Sequence, residues 1–182
     1  MSNRESNKVL SGLYQLLGRR TVLLPIPLKT KRPVEAGWES ITFEDTQKPD
    51  YQAALQTAIE RKGNIGVKLD DGLISIDFDD EETANAIASL AVFSETLRTR
   101  GRRGCNFWLR LVGSYPNGRN YPYGQNYYNL KRNGKKVGEF RCGPGAQTVI
   151  FGEHPDSTPE NPIRYSSIAS KSVIEIRDYL QP

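Results

Sequence analysis

Three acidic side chains give the first sign of chemistry. The segment LISIDFDD closes a hydrophobic run with Asp77 and Asp79 one residue apart, and Glu139 lies in KVGEFRC, a second short run of strand character. Alternate side chains on a strand share a face, so Ile74, Ile76 and Phe78 are expected in a core, with Ser75, Asp77 and Asp79 on the opposite side. The aspartates then stand about 7 Å apart at their backbones, close enough to converge on ions between them. Like charges at that spacing push one carboxyl toward protonation unless a cation offsets them. Carboxylates without a cysteine or histidine cluster form a hard oxygen set that suits Mg²⁺ or Mn²⁺ better than zinc. A plainer reading stays open: the aspartates end a strand and cap a helix, while Glu139 and Arg141, two residues apart, form a solvated pair.

Such acids need a sheet to position them. Val9, Leu10, Leu13, Leu16 and Leu17 recur at helical spacing before Gly18, which predicts an opening amphipathic helix. TVLLPIPL, residues 21–28, reads as a strand up to its prolines and leads into the basic loop KTKRPVEAGW. A second helix is expected over residues 50–62, closed by Gly63. NIGVKL and LISIDFD read as two strands paired antiparallel through a tight Asp71-Gly72 turn. Asp80 is placed to cap a helix over EETANAIASLAVF, because its carboxylate can accept from free backbone N–H groups. Further strands are expected at NFWLRLV, KVGEFRC and QTVIFG, and SSIASKSVIEIRDYL reads as a closing helix. The sum is an α/β (α+β) domain, a mixed and largely antiparallel sheet flanked by helices.

Composition bounds the rest. A chain of 182 residues buries one good core, so residues 1–182 read as a single domain. The net charge of +4 suits a polyanionic partner without requiring one. One histidine in the whole chain excludes a two-cysteine, two-histidine zinc finger and the paired histidines of rolling-circle endonucleases. No apolar run approaches the roughly 20 residues that span a bilayer, and the polar start MSNRESNK is no signal peptide, so a cytoplasmic protein with reduced Cys105 and Cys142 is expected.

The order of the motifs resembles the bifunctional primase-polymerase (Prim-Pol) domains of the archaeo-eukaryotic primase superfamily, found on plasmids, phages and integrated elements. The resemblance runs from Lys31, Pro33, Gly37 and Trp38 through NIGV to Asp77 and Asp79, then TRGRRGCNFWLRL and GEFRCGPGAQTVIFGEHP. It implies a primase-like catalytic core and template-directed nucleotidyl transfer, with two Mg²⁺ or Mn²⁺ ions on Asp77, Asp79 and Glu139. It further implies single-stranded DNA template, primer and (d)NTPs as partners, and a helicase domain or subunit beyond a chain excised from a longer replication protein. Lys31, Arg102, Arg103, Asn106, Arg141 and His154 become candidates for the nucleotide, the glycines beside Arg102 and Arg103 letting backbone N–H groups approach phosphate. Two departures stand out. Asn106 occupies the place of a usual histidine, and Asn cannot carry charge; Glu139 replaces a usual aspartate.

A tyrosine-rich, basic stretch places Tyr115, Tyr121, Tyr123, Tyr127 and Tyr128 among Arg119, Lys131, Arg132, Lys135 and Lys136. Aromatics stack bases and cations follow phosphates, so Tyr127, Tyr128, Lys131, Arg132, Lys135 and Lys136 are candidates for template contact. Asn133-Gly134 inside the stretch is a hairpin signal, and the tyrosines can equally pack that hairpin onto the sheet. Two rival functions use the same residues: a metal-dependent nuclease, and a catalytically silent nucleic-acid-binding module consistent with Asn106.

Overall fold

A computed structural model describes residues 3–33, 35–113, 126–169 and 171–176. Helix α1 (Asn3–Leu17) turns Leu10, Leu13 and Leu17 inward and stops at Gly18, whose N–H donates to the Tyr14 carbonyl. Strand β1 (Leu23–Ile26), helix α2 (Phe43–Thr46) and helix α3 (Pro49–Glu60) follow, with Leu55 and Ile59 of α3 fully buried. The long strand β2 (Asn64–Phe78) leads to α4 (Glu81–Ala88) and α5 (Ala91–Ser94). Asp80 caps α4 as its sequence position implies, accepting from the Thr83 N–H at 2.7 Å. Then come β3 (Arg98–Arg100), β4 (Cys105–Leu111), β5 (Tyr127–Arg132), β6 (Lys135–Glu153), β7 (Arg164–Ala169) and β8 (Ile174–Ile176).

These eight strands form one sheet in the order β1-β2-β4-β3-β7-β6-β5, with β8 added alongside β4. Among the described residues every pairing is antiparallel except β4 with β8. Because β2 also pairs with β6, the ladder closes into a ring, β2-β4-β3-β7-β6 and back to β2. A mixed, largely antiparallel sheet flanked by helices is therefore the fold, as the sequence implies. One apolar cluster lies under α1 and α3 and contains Ile65, Val67, Leu69, Leu73 and Trp108; a second, around Ile74, Ile76, Phe78 and Phe107, is covered by α4. The alternation expected for Ile74, Ile76 and Phe78 holds.

Two expectations are corrected. NIGVKL and LISIDFD do not pair with one another; they are halves of β2. Asp71 and Gly72 do adopt the left-handed conformations of a tight turn (φ 51 and 71), but the first half of β2 pairs with β1, the second with β4, and both with β6. With both edges taken, the dipeptide forms an irregularity in one strand, where Arg110 donates to the Asp71 carboxylate at 2.9 Å. In the same way KVGEFRC and QTVIFG are halves of β6. The closing helix is absent over the described residues: 164–169 and 174–176 are strands β7 and β8. Ile168, Val173, Ile174 and Ile176 are β-branched and stiff in a helix, and a helix there would leave the β3 edge unpaired.

Candidate active site

Register brings the sequence candidates together. Asp77 on β2 stands directly opposite Asn106 on β4 and opposite Glu139 on β6. The next row on this face is Trp108, Ser75 and Arg141. Residues directly opposite in antiparallel strands have their β-carbons about 4.5–5.5 Å apart, so Asp77 and Glu139 are neighbours although distant in the chain. Ser75 is buried beneath them and donates its hydroxyl to Asn106 Oδ1 at 2.9 Å. Asp79 extends the ladder through its N–H to the Val137 carbonyl and borders the same depression.

Two cations hold the acids. Arg141 Nη2 lies 3.2 Å from Asp77 Oδ2 and 2.7 Å from Glu139 Oε2, with Nε 2.9 Å from the same Glu139 oxygen. Lys136 donates to the other oxygen of Glu139. Burial raises the Asp77 carboxyl above its ordinary range, the Arg141 charge opposes this, and Asp79 and Glu139 reinforce it. Burial would raise Glu139 too, but bonds from Lys136 and Arg141 outweigh it and the net shift is downward.

The basic loop between β3 and β4 is pinned beside these acids. Gly104 has φ 64 and a β-carbon there would land on the Phe78 carbonyl, so only glycine lets the loop lie this close to β2. Glu81 accepts from the Gly104 N–H at 3.2 Å and from Arg100 Nη2 at 2.6 Å, while Arg100 Nε donates to the Gly104 carbonyl at 3.0 Å. Arg102 is thereby held 2.7 Å from Asp156, and Arg103 makes no ion pair among the described residues. The buried His154 accepts from the Asp156 N–H on Nδ1 at 3.1 Å. Burial, then the Lys31 charge, lowers its pKa below 6.5, against an opposing pull from Asp156. Lys31 borders both the carboxylates and the pocket lined by Arg102, Arg103, His154 and Asp156.

The template candidates separate. Asn133 and Gly134, both left-handed, form the hairpin between β5 and β6. Tyr127 is 47 % exposed on the site's rim, its hydroxyl donating to the Gly145 carbonyl, whereas Tyr128 packs edge-on against Phe140 in the second core. Arg132 is paired with Glu82 at 2.9 Å and Lys136 with Glu139; Lys131 and Lys135 are exposed. Tyr115, Arg119, Tyr121 and Tyr123 lie outside the described residues.

Two site residues escaped a functional reading in the sequence. Tyr165 lines the depression from β7, and its hydroxyl is buried without a hydrogen-bond partner among the described residues. It stands just ahead of the segment expected as the closing helix, where no strand was expected. Trp38 lines the depression from the loop after β1, and its Gly-Trp setting was the available signal.

Among the described residues no three carboxylate, histidine or cysteine groups close around a common point, and Arg141 bonds to both Asp77 and Glu139. The donor chemistry nevertheless suits a hard divalent ion: two carboxylates in register, a third beside them and no sulfur facing the depression. No helix among the described residues is long and apolar enough to cross a membrane. Residues 14–175 match the family model described as bifunctional DNA primase/polymerase, N-terminal. Comparison with curated proteins finds no match.

Proposed function

The chain belongs to the bifunctional DNA primase/polymerase (Prim-Pol) family, and from that premise we propose that it is a template-directed nucleotidyltransferase whose Asp77, Asp79 and Glu139 hold two Mg²⁺ or Mn²⁺ ions. Ions held by these carboxylates would supply activation of an attacking hydroxyl and neutralisation of a departing pyrophosphate. The chain's own residues contribute position and charge. Arg102, Arg103 and Lys31 receive the triphosphate, and Arg141 exchanges a carboxylate for a phosphate oxygen. His154, neutral near pH 7 because of its burial, serves as a hydrogen-bond donor rather than a cation. Asn106, beside Asp77, supplies a hydrogen bond where a histidine is the family's usual choice. Replication of a plasmid or other mobile element, with a helicase acting on the same DNA, belongs to the same proposal and rests on the resemblance.

The observation that supports the reading best is the register pairing of Asp77 with Glu139, with Asp77 also lining the pocket that holds Lys31, Arg102 and Arg103. Incubating labelled primer-template with Mg²⁺ or Mn²⁺ and either dNTPs or NTPs tests it: extension is expected, abolished by Asp77→Ala. Shortening of the primer would make the chain a nuclease instead. No reaction, together with equal and weak Mn²⁺ binding by the intact protein and Asp77→Ala, would make it a silent nucleic-acid-binding module.

A further inference from the structure

The site is two cavities sharing four side chains, Lys31, Asp77, Asn106 and Tyr165. The smaller, about 280 Å³, adds Arg102, Arg103 and His154 together with the acids Asp79 and Asp156, the latter paired with Arg102. The larger, about 490 Å³, adds the aromatic side chains of Trp38 and Tyr127. A nucleotide has the same two-part chemistry, a polyanion joined to a flat apolar ring system, and Asp77 lies at the junction, with Glu139 in the larger cavity and Asp79 in the smaller. We propose that the larger cavity takes the base of the incoming nucleotide and that Trp38 is its stacking face.

The backbone that carries the indole is held in advance of any ligand. Ser40 N–H donates to the Gly37 carbonyl at 2.9 Å and Ile41 N–H to the Trp38 carbonyl at 3.2 Å, closing the short helical turn (Trp38–Ser40). Its loop is tied down by buried side chains on either side: Asn64 Nδ2 donates to the Thr30 carbonyl at 3.0 Å, and Lys68 Nζ to the Ile41 carbonyl at 2.8 Å. Gln147 Nε2 donates to the Lys31 carbonyl between them. Trp38 also borders an apolar groove with Leu24, Pro33, Ile41 and Ala58, so it stands as a partition between that groove and the carboxylate cavity. A platform fixed on its loop loses little freedom when a base docks on it. Stacking also tolerates any base, as a copying enzyme requires.

This inference rests on the polymerase reading, and its test separates the two. The chain has two tryptophans, and Trp108 is fully buried with its Nε1–H on Thr99 Oγ1, so a ligand-dependent change in intrinsic fluorescence reports Trp38. Binding of dATP, dCTP and tripolyphosphate is measured by calorimetry and fluorescence with Mg²⁺ and no DNA. Both nucleotides should quench emission, and tripolyphosphate should not. Trp38→Ala should weaken dATP roughly tenfold, within the range that loss of one stacked aromatic costs. Its tripolyphosphate affinity should hold within about twofold, as expected if only the base contact is gone; Trp38→Phe should keep most of the dATP affinity. Unchanged dATP affinity in Trp38→Ala and Trp38→Phe overturns the proposal, and so does equal loss of dATP and tripolyphosphate. Failure of the unaltered protein to bind either ligand overturns the polymerase reading itself.

Discussion

Asp77 and Glu139 face one another across β2 and β6, and Arg141 bonds to both carboxylates. The guanidinium therefore neutralises the charge that a divalent ion would meet. Arg141→Gln removes that competitor and leaves a shorter, uncharged polar side chain. Mn²⁺ affinity of the nucleotide-free protein, followed by electron paramagnetic resonance, should rise by about tenfold, a conservative share of the interaction between charges at this separation. Unchanged or weaker Mn²⁺ binding would show that Arg141 does not compete for this position.

The neighbouring acids divide by role, and substitution separates them. Asp77→Asn and Glu139→Gln keep shape and remove charge, so primer extension should fall by at least about 100-fold while circular dichroism stays unchanged. Asp80 instead caps α4 through the Thr83 N–H. Asp80→Ala should lower Tm by about 2–4 °C and leave extension near its original rate. Loss of extension in Asp80→Ala comparable to that in Asp77→Asn would undo this division.

Burial, with the Lys31 charge next, lowers the pKa of His154 below 6.5. The unfolded chain then takes up its proton at a higher pH than the folded one. The sign follows: stability from this group is complete above pH 6.5 and declines as pH falls through the folded-state value. Tm should drop between pH 7 and pH 5, and His154→Asn should flatten that part of the curve. A profile identical in the two proteins would remove His154 as the source.

How much of this was legible depended on whether local chemistry or distant partners decided the outcome. Asp80 and Thr83 lie three residues apart, and the Asn133-Gly134 turn is closed by its own strands, so both could be read from neighbours in the chain. Alternation placed Asp77 and Glu139 on polar faces. It did not reveal that β2 and β6 bring them into register, because register depends on long-range pairing. Asp71-Gly72 shows the limit: the dipeptide takes the conformations of a turn, but β1, β4 and β6 had claimed the edges of both flanking segments. Tyr165 was hidden for a related reason, since β7 is a strand only by virtue of its partners β3 and β6. Lys136 was grouped with the template candidates by composition, and its side chain turns instead to Glu139.

Asn106 sits opposite Asp77, where an imidazole would add a donor able to carry charge. Asn106→His should raise dNTP affinity several-fold, measured by calorimetry with Mg²⁺, because a charge-assisted bond to phosphate is roughly twice as strong as a neutral one. The Ser75 hydroxyl, which now donates to Asn106 Oδ1, can turn to accept from an imidazolium N–H instead. Affinity that stays level or falls would mean that this position does not face the nucleotide.

Template contact by the β5–β6 hairpin is open to a sharper experiment, because its four cations differ in how far their charge is already offset. Arg132 is bonded to Glu82 and Lys136 to Glu139, while Lys131 and Lys135 are exposed. A lysine that neutralises a phosphate releases a counterion, so its removal lowers both affinity and the salt dependence of affinity. Lys131→Gln and Lys135→Gln should each weaken single-stranded DNA binding and reduce the slope of log K against log salt by about 0.7. Arg132→Gln should change the slope less, since Glu82 already balances that charge. The measurement is a fluorescence-anisotropy titration of a labelled oligonucleotide at four salt concentrations. Equal slopes for all three variants and the parent protein would place the template elsewhere on the molecule and leave the hairpin a purely structural edge of the sheet.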